Sequence, residues 1–208
     1  MSIAAAKSVY TQEVSELVAG CLEGEQAAYA ALYRRFAADV YRLVYGLLGD
    51  TEDAEEVLQD AFLYAMRNLA RYDPARAGLR TWLFRIAVCR ARNKRRRKIL
   101  PTISLADLVD GGRERVELKS AARPAEESAQ RASDREELIS ALNCLTPKLR
   151  EAAVLRYFEG LTYGEIGQVL GVPPKTAESR VRLAHVALRR LLEERKVLEP
   201  GTARGGGG

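Results

Sequence analysis

Two groups of side chains in this sequence are spaced for chemistry on a polyanion. Every residue from Lys94 to Lys98 is basic, and Arg85, Arg90 and Arg92 lead into that run. On a helix over residues 81–98 these cations fall within about four turns, roughly 20 Å. Charges that close repel one another unless phosphate lies near; a helix dipole needs only one or two of them at its end. The second group follows Pro174, where Lys175, Thr176, Glu178, Ser179 and Arg182 occupy one face of an otherwise apolar segment. Donors and cations arranged that way suit base edges and phosphates. Catalysis is poorly served by what remains. His185 is the only histidine, it sits in a helical segment beside arginines, and the carboxylates run along one helix face. Hydrolytic or nuclease chemistry would need clustered carboxylates or a placed histidine base, so no enzyme, catalytic residue, metal site or cofactor is expected.

The second group is positioned by residues 162–192, TYGEIGQVLGVPPKTAESRVRLAHVALRRLL. Thr162 and Glu165 have the spacing of a capping box. Ile166, Val169 and Leu170 make the stripe of a short helix, and Gly171 supplies the left-handed residue that ends it. Pro173 and Pro174 fit only a first helical turn, where a missing N–H is harmless. Ala177, Val181, Ala184 and Leu188 then form a buried face opposite the polar one. A short helix, a glycine turn and a second helix with a polar, partly basic face describe a helix-turn-helix. The same pattern also fits an ordinary amphipathic helix pair with a solvated outer face.

The rest of the chain is helical in pattern, with no strand signal and no repeat. Residues 1–22 are weakly patterned, with one helical turn around Val14, Leu17 and Val18. Over residues 25–48, Ala28, Leu32, Phe36, Val40, Leu43, Val44 and Leu47 step along one face. Gly49 ends that helix, and Asp50 or Thr51 caps the next, residues 52–69, with Ala54, Val57, Leu58, Ala61, Phe62 and Ala65 inward. Residues 71–80, RYDPARAGLR, form a loop. In residues 81–98 the first half is apolar and the second basic, with Trp82 read as a core residue in preference to a DNA contact. Pro101, Gly111, Gly112 and Pro124 break residues 99–132 into a linker. Ser133 and Glu136 are spaced as a second capping box, opening a helix with Leu138, Ala141, Leu142 and Leu145 inward. Thr146 and Pro147 start another, closed by Gly160. The tail, residues 196–208, carries no recognisable chemistry. The expected fold is all-α: two small helical domains joined by a flexible linker, the C-terminal one containing the helix-turn-helix.

The 208 residues and a net charge of +5 fit one large or two small domains with a nucleic-acid partner. Cys21, Cys89 and Cys144 are far apart, which argues against zinc and for a reducing compartment, each a small buried apolar residue. No apolar run reaches the length of a membrane span and no leader pattern opens the chain, so a cytoplasmic protein without membrane insertion is expected.

The blocks DAEEVLQDAFLYAMRNLARYD, LRTWLFRIAVCRARNKRRRK and LTPKLREAAVLRYFEGLTYGEIGQVLGVPPKTAESRVRLAHVALRRL resemble the two domains of extracytoplasmic-function sigma factors, the small promoter-recognition subunits of bacterial RNA polymerase. The resemblance spans residues 23–192 and implies a function: binding core polymerase, recognising and melting promoter DNA, and starting transcription on the nucleoid. It divides the chain into an extension (1–22), a region-two-like domain (23–98), the linker, a region-four-like domain (133–195) and the tail. Asp53, Glu56, Gln59, Asp60, Leu63 and Tyr64 match the helix that docks on the clamp helices of the largest polymerase subunit. Arg71, Tyr72, Arg76, Arg80, Arg85, Arg92, Asn93 and Arg96 match the part that melts and reads the minus-ten element, with a base flipped into a pocket formed by the loop. Lys175, Thr176, Glu178, Ser179 and Arg182 would read the minus-thirty-five element, with Arg180, Arg189 and Arg190 holding the DNA backbone. The flap of the second-largest subunit and an anti-sigma factor complete the implied partners. Two departures stand out: Cys89 replaces a small polar residue, and Gly167 replaces an alanine, a loss of up to ~1 kcal/mol in helix stability. The residues by themselves leave open a stand-alone helix-turn-helix regulator, although residues 1–98 suit a sensor or dimerisation role poorly.

Overall fold

The structure is a computed structural model that describes residues 3–99 and 129–198, and every regular element in it is helical. The expected linker and the glycine tail fall largely outside the described residues. The N-terminal half contains α1 (Ile3–Leu22), α2 (Gln26–Leu48), α3 (Thr51–Arg67), a 3-10 turn (Leu69–Arg71) and α4 (Leu79–Ile99). The C-terminal half contains α5 (Ala129–Cys144), α6 (Pro147–Tyr157), α7 (Tyr163–Leu170) and α8 (Pro174–Leu198).

The periodic stripes account for the core of the first half. Every expected inward residue of α2 and α3 is buried, and α4 adds Leu83, Phe84, Ile86, Ala87 and Val88 between them. Each large side chain buried this way contributes ~1.5–3 kcal/mol of transfer free energy. Gly49 ends α2 at φ 71°, and the Asp50 side chain accepts from the Asp53 N–H at 2.8 Å to start α3. Trp82 is half-buried against Tyr72, with ring centroids 5.5 Å apart.

Four expectations need correction. Residues 1–22 contain a full helix, α1, that packs on α2 and buries Val14 and Cys21; Tyr29 donates its hydroxyl to the Cys21 carbonyl at 2.7 Å. Ser133 does not open a helix, because α5 already runs from Ala129, so the Ser133–Glu136 spacing lies inside it. Cys89 and Cys144 are exposed; Cys89 lies off the buried stripe of α4, and Cys144 is the last residue of α5. Finally, the spacing of the two halves is not left undefined. α7 packs on α4, and both α5 and α6 pack on α2.

That junction is close. A Cβ on Gly46 would stand 2.9 Å from Val154 Cγ1, so only glycine lets α2 and α6 approach so nearly. Arg150, 2% exposed, crosses the same junction. Its guanidinium donates to the carbonyls of Leu47 (3.1 Å), Asn143 (2.6 Å) and Leu145 (3.3 Å), at the C-terminal ends of α2 and α5. A cation suits the negative end of a helix dipole. Burial, with Arg95 nearby, lowers its pKa to about 10, so it stays charged at neutral pH.

Candidate nucleic-acid interface

The helix-turn-helix is built from local chemistry. Thr162 Oγ1 accepts from the Glu165 N–H at 3.3 Å while Glu165 Oε2 accepts from the Thr162 N–H at 2.8 Å, a complete capping box. Gly171 ends α7 at φ 69°, and Val172 N–H bonds back to the Gly167 carbonyl at 3.0 Å. Gly167 is more than a weak helix residue. A Cβ there would lie 2.7 Å from the Val172 carbonyl oxygen, so the tight turn that sets α8 against α7 requires glycine at this position. The local penalty expected from propensity alone is therefore the wrong account of this residue.

Ala177, Val181, Ala184 and Leu188 are all buried, which fixes the rotation of α8. Lys175, Glu178, Arg182 and Arg189 are exposed, while Thr176, Ser179 and Arg180 are half-buried. Arg189 and Arg190 pair along the helix with Glu193 and Glu194, each at 2.8 Å. Those i,i+4 contacts are exposed and weak, leaving both cations able to exchange partners. Sequence reasoning missed Leu183 and Val186, which are 54% and 62% exposed on the same side as Ser179 and Arg190.

The region-two-like residues are divided by their partners. Arg71, Arg76, Arg85, Asn93 and Arg96 are exposed, with Arg76 paired to Asp73 at 3.3 Å. Arg80, half-buried, and Arg92, which is itself exposed, are bound across the junction. Arg80 donates to Glu159 at 2.6 Å and to Asp39 at 2.8 Å, and Arg92 forms a two-pronged pair with Glu151 at 2.6 and 2.7 Å. Arg42 also holds Glu159, through two bonds of 2.9 Å, so this buried carboxylate is gripped by two guanidiniums. Burial raises the Glu159 carboxyl above its usual range, and the arginines offset this only in part. Burial pulls Asp39 the same way, but there Arg80 and Arg42 win and hold the carboxyl low. Beside this clasp, a cavity of about 680 Å³ lies between the halves, with Arg92, Arg95, Arg96 and Arg180 on its walls.

On α3, Glu56 is exposed and Gln59, Asp60 and Leu63 are half-buried along one ridge. Asp53 departs from the expectation: it is 7% exposed and turned toward Lys94 and Lys98 of α4. Lys94 also bonds Glu56, and although burial opposes it, these carboxylates raise its pKa. Tyr64 lies under Arg90, whose guanidinium carbon is 4.5 Å from the ring centroid. In the C-terminal half, an apolar groove of about 440 Å³ opens between α5, α6 and α8, lined by Leu138, Leu142, Tyr157, Leu188 and Leu192. Among the described residues, no helix is long and apolar enough to cross a membrane.

Comparison with known proteins fits this division. Residues 32–99 match the family profile of sigma-70 region 2, and residues 135–194 that of sigma-70 region 4. The ECF RNA polymerase sigma factor SigW of Bacillus subtilis (strain 168) is 30% identical over 83% of this chain and 92% of its own. The fold resembles that of CnrH, solved in complex with the cytosolic domain of CnrY: 25% identity, TM-score 0.63, covering 86% of this chain and 96% of that one. It also resembles the sigma factor RpoE, solved with the anti-sigma factor NepR from Bartonella quintana: 23% identity, TM-score 0.59, covering 79% and 96%.

Proposed function

The chain belongs to the extracytoplasmic-function family of RNA polymerase sigma factors, and from that premise we propose how its two halves divide promoter recognition. As a member it is a promoter-recognition subunit that works with RNA polymerase, not a stand-alone regulator. The α3 ridge of Glu56, Gln59, Asp60 and Leu63 docks on the clamp helices of the largest subunit, its carboxylates meeting basic side chains there. The apolar groove between α5, α6 and α8 takes the flap of the second-largest subunit. α4, with Arg71, Tyr72 and Arg76 before it, handles the minus-ten element, where a chain of exposed cations can hold a separated strand.

The N-terminal part of α8 reads the minus-thirty-five element. The observation that carries this is the rotation of α8, whose buried face leaves Lys175, Ser179 and Arg182 on the open side of a capped helix-turn-helix. An anti-sigma factor, the partner of RpoE in its solved complex, is a candidate regulator here too.

The test is transcription from a promoter library randomised at both elements, using core polymerase and this chain. Ser179→Ala and Arg182→Ala should each change preference within the minus-thirty-five element, at ~1–3 kcal/mol per lost base contact. Arg190→Ala should weaken binding to all sequences and flatten its salt dependence. An unchanged minus-thirty-five preference in both of the first two variants would remove α8 as the reader.

A further inference from the structure

Leu183 and Val186 are large apolar side chains held in solvent in the middle of a face otherwise built for DNA. Counted from Lys175, the outer stripe of α8 runs through Ser179, Leu183, Val186 and Arg190, at i, i+4, i+8, i+11 and i+15. None of these five is buried, and Leu183 and Val186 are 54% and 62% exposed. They play no part in the core, which α8 meets through Ala177, Val181, Ala184 and Leu188. Nor are they turned to the other half of the molecule, whose cavity meets α8 at Arg180.

The neighbours say what kind of surface would cover them. Arg182 adjoins Leu183, Lys175 lies two turns before it, and Arg190, paired with Glu194, lies one turn beyond Val186; these cations disfavour a purely apolar protein partner and favour a polyanion presenting small apolar groups. Duplex DNA does this in the major groove, where the only apolar group on a base edge is the C5 methyl of thymine. Leu183 and Val186 are separated by about 4.5 Å along the helix axis, comparable with a base-pair step of about 3.4 Å.

We propose that Leu183, backed by Val186, is an apolar specificity element that selects thymine within the minus-thirty-five sequence through its methyl group. This deepens the assignment of α8 as the minus-thirty-five reader and rests on it. Ser179 and Arg182 would set the polar part of the code; Leu183 and Val186 would add a preference that no hydrogen bond can supply.

Deoxyuridine separates the two, because it differs from thymidine in duplex DNA only by the missing methyl. Polymerase carrying this chain is first used to select the preferred minus-thirty-five sequence, and each thymine in it is then replaced singly by deoxyuridine. With wild type, one or two replacements should weaken binding about fourfold, the factor for one buried methyl group. Leu183→Ala should bind the thymine and uracil duplexes equally, and Leu183→Met, which keeps an apolar reach, should restore part of the difference. Wild type indifferent to every replacement, or Leu183→Ala keeping the full difference, would overturn the proposal. If Ser179→Ala and Arg182→Ala still shift the minus-thirty-five preference in that case, the reading of α8 survives. If they do not, the reading falls and the proposal with it. A dimer of the free chain that Leu183→Ala dissolves, with the deoxyuridine response unchanged, would reassign the pair to self-association and likewise overturn it.

Discussion

Arg80 and Glu159 lie 79 positions apart and meet at 2.6 Å, with Arg80 also donating to the Glu159 carbonyl at 3.2 Å. Arg80 is among the residues assigned to the minus-ten element, and Glu159 lies in the bend between α6 and the helix-turn-helix. Promoter DNA would therefore have to compete with this carboxylate for the Arg80 guanidinium. With Arg92 on Glu151, two DNA-assigned cations are engaged by the opposite half, and α7 is packed on α4. We read this as a closed arrangement of the two halves.

Reversing the charge at the clasp should therefore open it. Glu159→Lys places a third cation beside Arg42 and Arg80, and breaking a buried pair in that way typically destabilises by ~3–5 kcal/mol. The distance between labels on α1 and α8 should lengthen, and the free chain's affinity for promoter DNA should rise by about tenfold or more as the competent fraction grows. Förster transfer and gel shifts at one fixed salt concentration measure both. An unchanged label distance in the folded variant would show that the clasp does not hold the halves.

A wedge tests the same junction without touching charge. Gly46→Leu adds a side chain where even a Cβ would stand 2.9 Å from Val154. On the separated N-terminal half the new side chain stands on a face of α2 that α6 no longer covers, and replacing a glycine inside a helix gains up to ~1 kcal/mol. The variant should be open by Förster transfer while the N-terminal half melts no lower than wild type. A closed Gly46→Leu protein would mean that α2 and α6 do not meet in solution as they do here.

Glu159 should make closure depend on pH. Its carboxyl is raised above the usual carboxylate range by burial and returns to that range when the halves separate. Closing therefore takes up protons between the two values. The closed population should grow as pH falls from neutral into that window and shrink as pH rises through the raised value. The charged groups facing Glu159 are Arg42 and Asp39 from α2 and Arg80 from α4. Asp39 does not cancel the effect: the arginines that lower it belong to its own half, and it titrates below the window. Label distance followed from pH 7 to about pH 5 should show the shift, and Glu159→Gln should abolish it. A flat wild-type profile would contradict the linkage.

The two kinds of glycine show what was legible in the sequence. Gly171 and Gly49 were readable as helix ends because each follows an apolar stripe that stops there, and both have positive φ. Gly46 and Gly167 lie inside helices and give no local sign of what approaches them, Val154 in one case and the Val172 carbonyl in the other. The same reason hides the clasp, since partners 79 and 117 positions apart leave no periodic trace and Glu159 reads as one more solvated acid. Helix α1 is hard to read in the sequence because its inward residues give too short a pattern, with Val14 and Cys21 among its buried members. The rotation of α8 was fully legible, because its four inward residues are spaced at helical intervals and all are buried. Leu183 and Val186 carry no such sign, because an apolar residue on an amphipathic helix reads as core until the rotation of that helix is fixed.

Gly167→Ala should destabilise the helix-turn-helix although alanine is the better helix former. The ~1 kcal/mol gained in propensity is opposed by a Cβ 2.7 Å from a backbone oxygen that cannot move without loosening the turn. A net loss of up to ~2 kcal/mol, the ~1–3 kcal/mol of overpacking less the gain in propensity, is expected in thermal unfolding. A variant as stable as wild type would mean the α7–α8 turn relaxes freely.

Polymerase docking can now be tested with the fold protected. Reversing Glu56 and Asp60 together should abolish co-purification with core polymerase, but Glu56 is also the partner of Lys94. Glu56→Lys alone sets two lysines against each other and confounds loss of docking with loss of structure. The informative set is Asp60→Lys, which leaves the Lys94 pair intact, and Glu56→Gln, which removes the carboxylate while Lys94 keeps Asp53 as its partner. Because exposed pairs contribute only ~0–1 kcal/mol, both proteins should melt near wild type. If the α3 ridge meets a basic surface on polymerase, each should lose most of its association, and the loss should be steepest at low salt, where charge contacts are least screened. Pull-down of core polymerase at two salt concentrations reads this directly. Normal association of both folded variants would remove Glu56 and Asp60 from the docking surface, leaving Gln59 and Leu63 as its remaining members on this ridge.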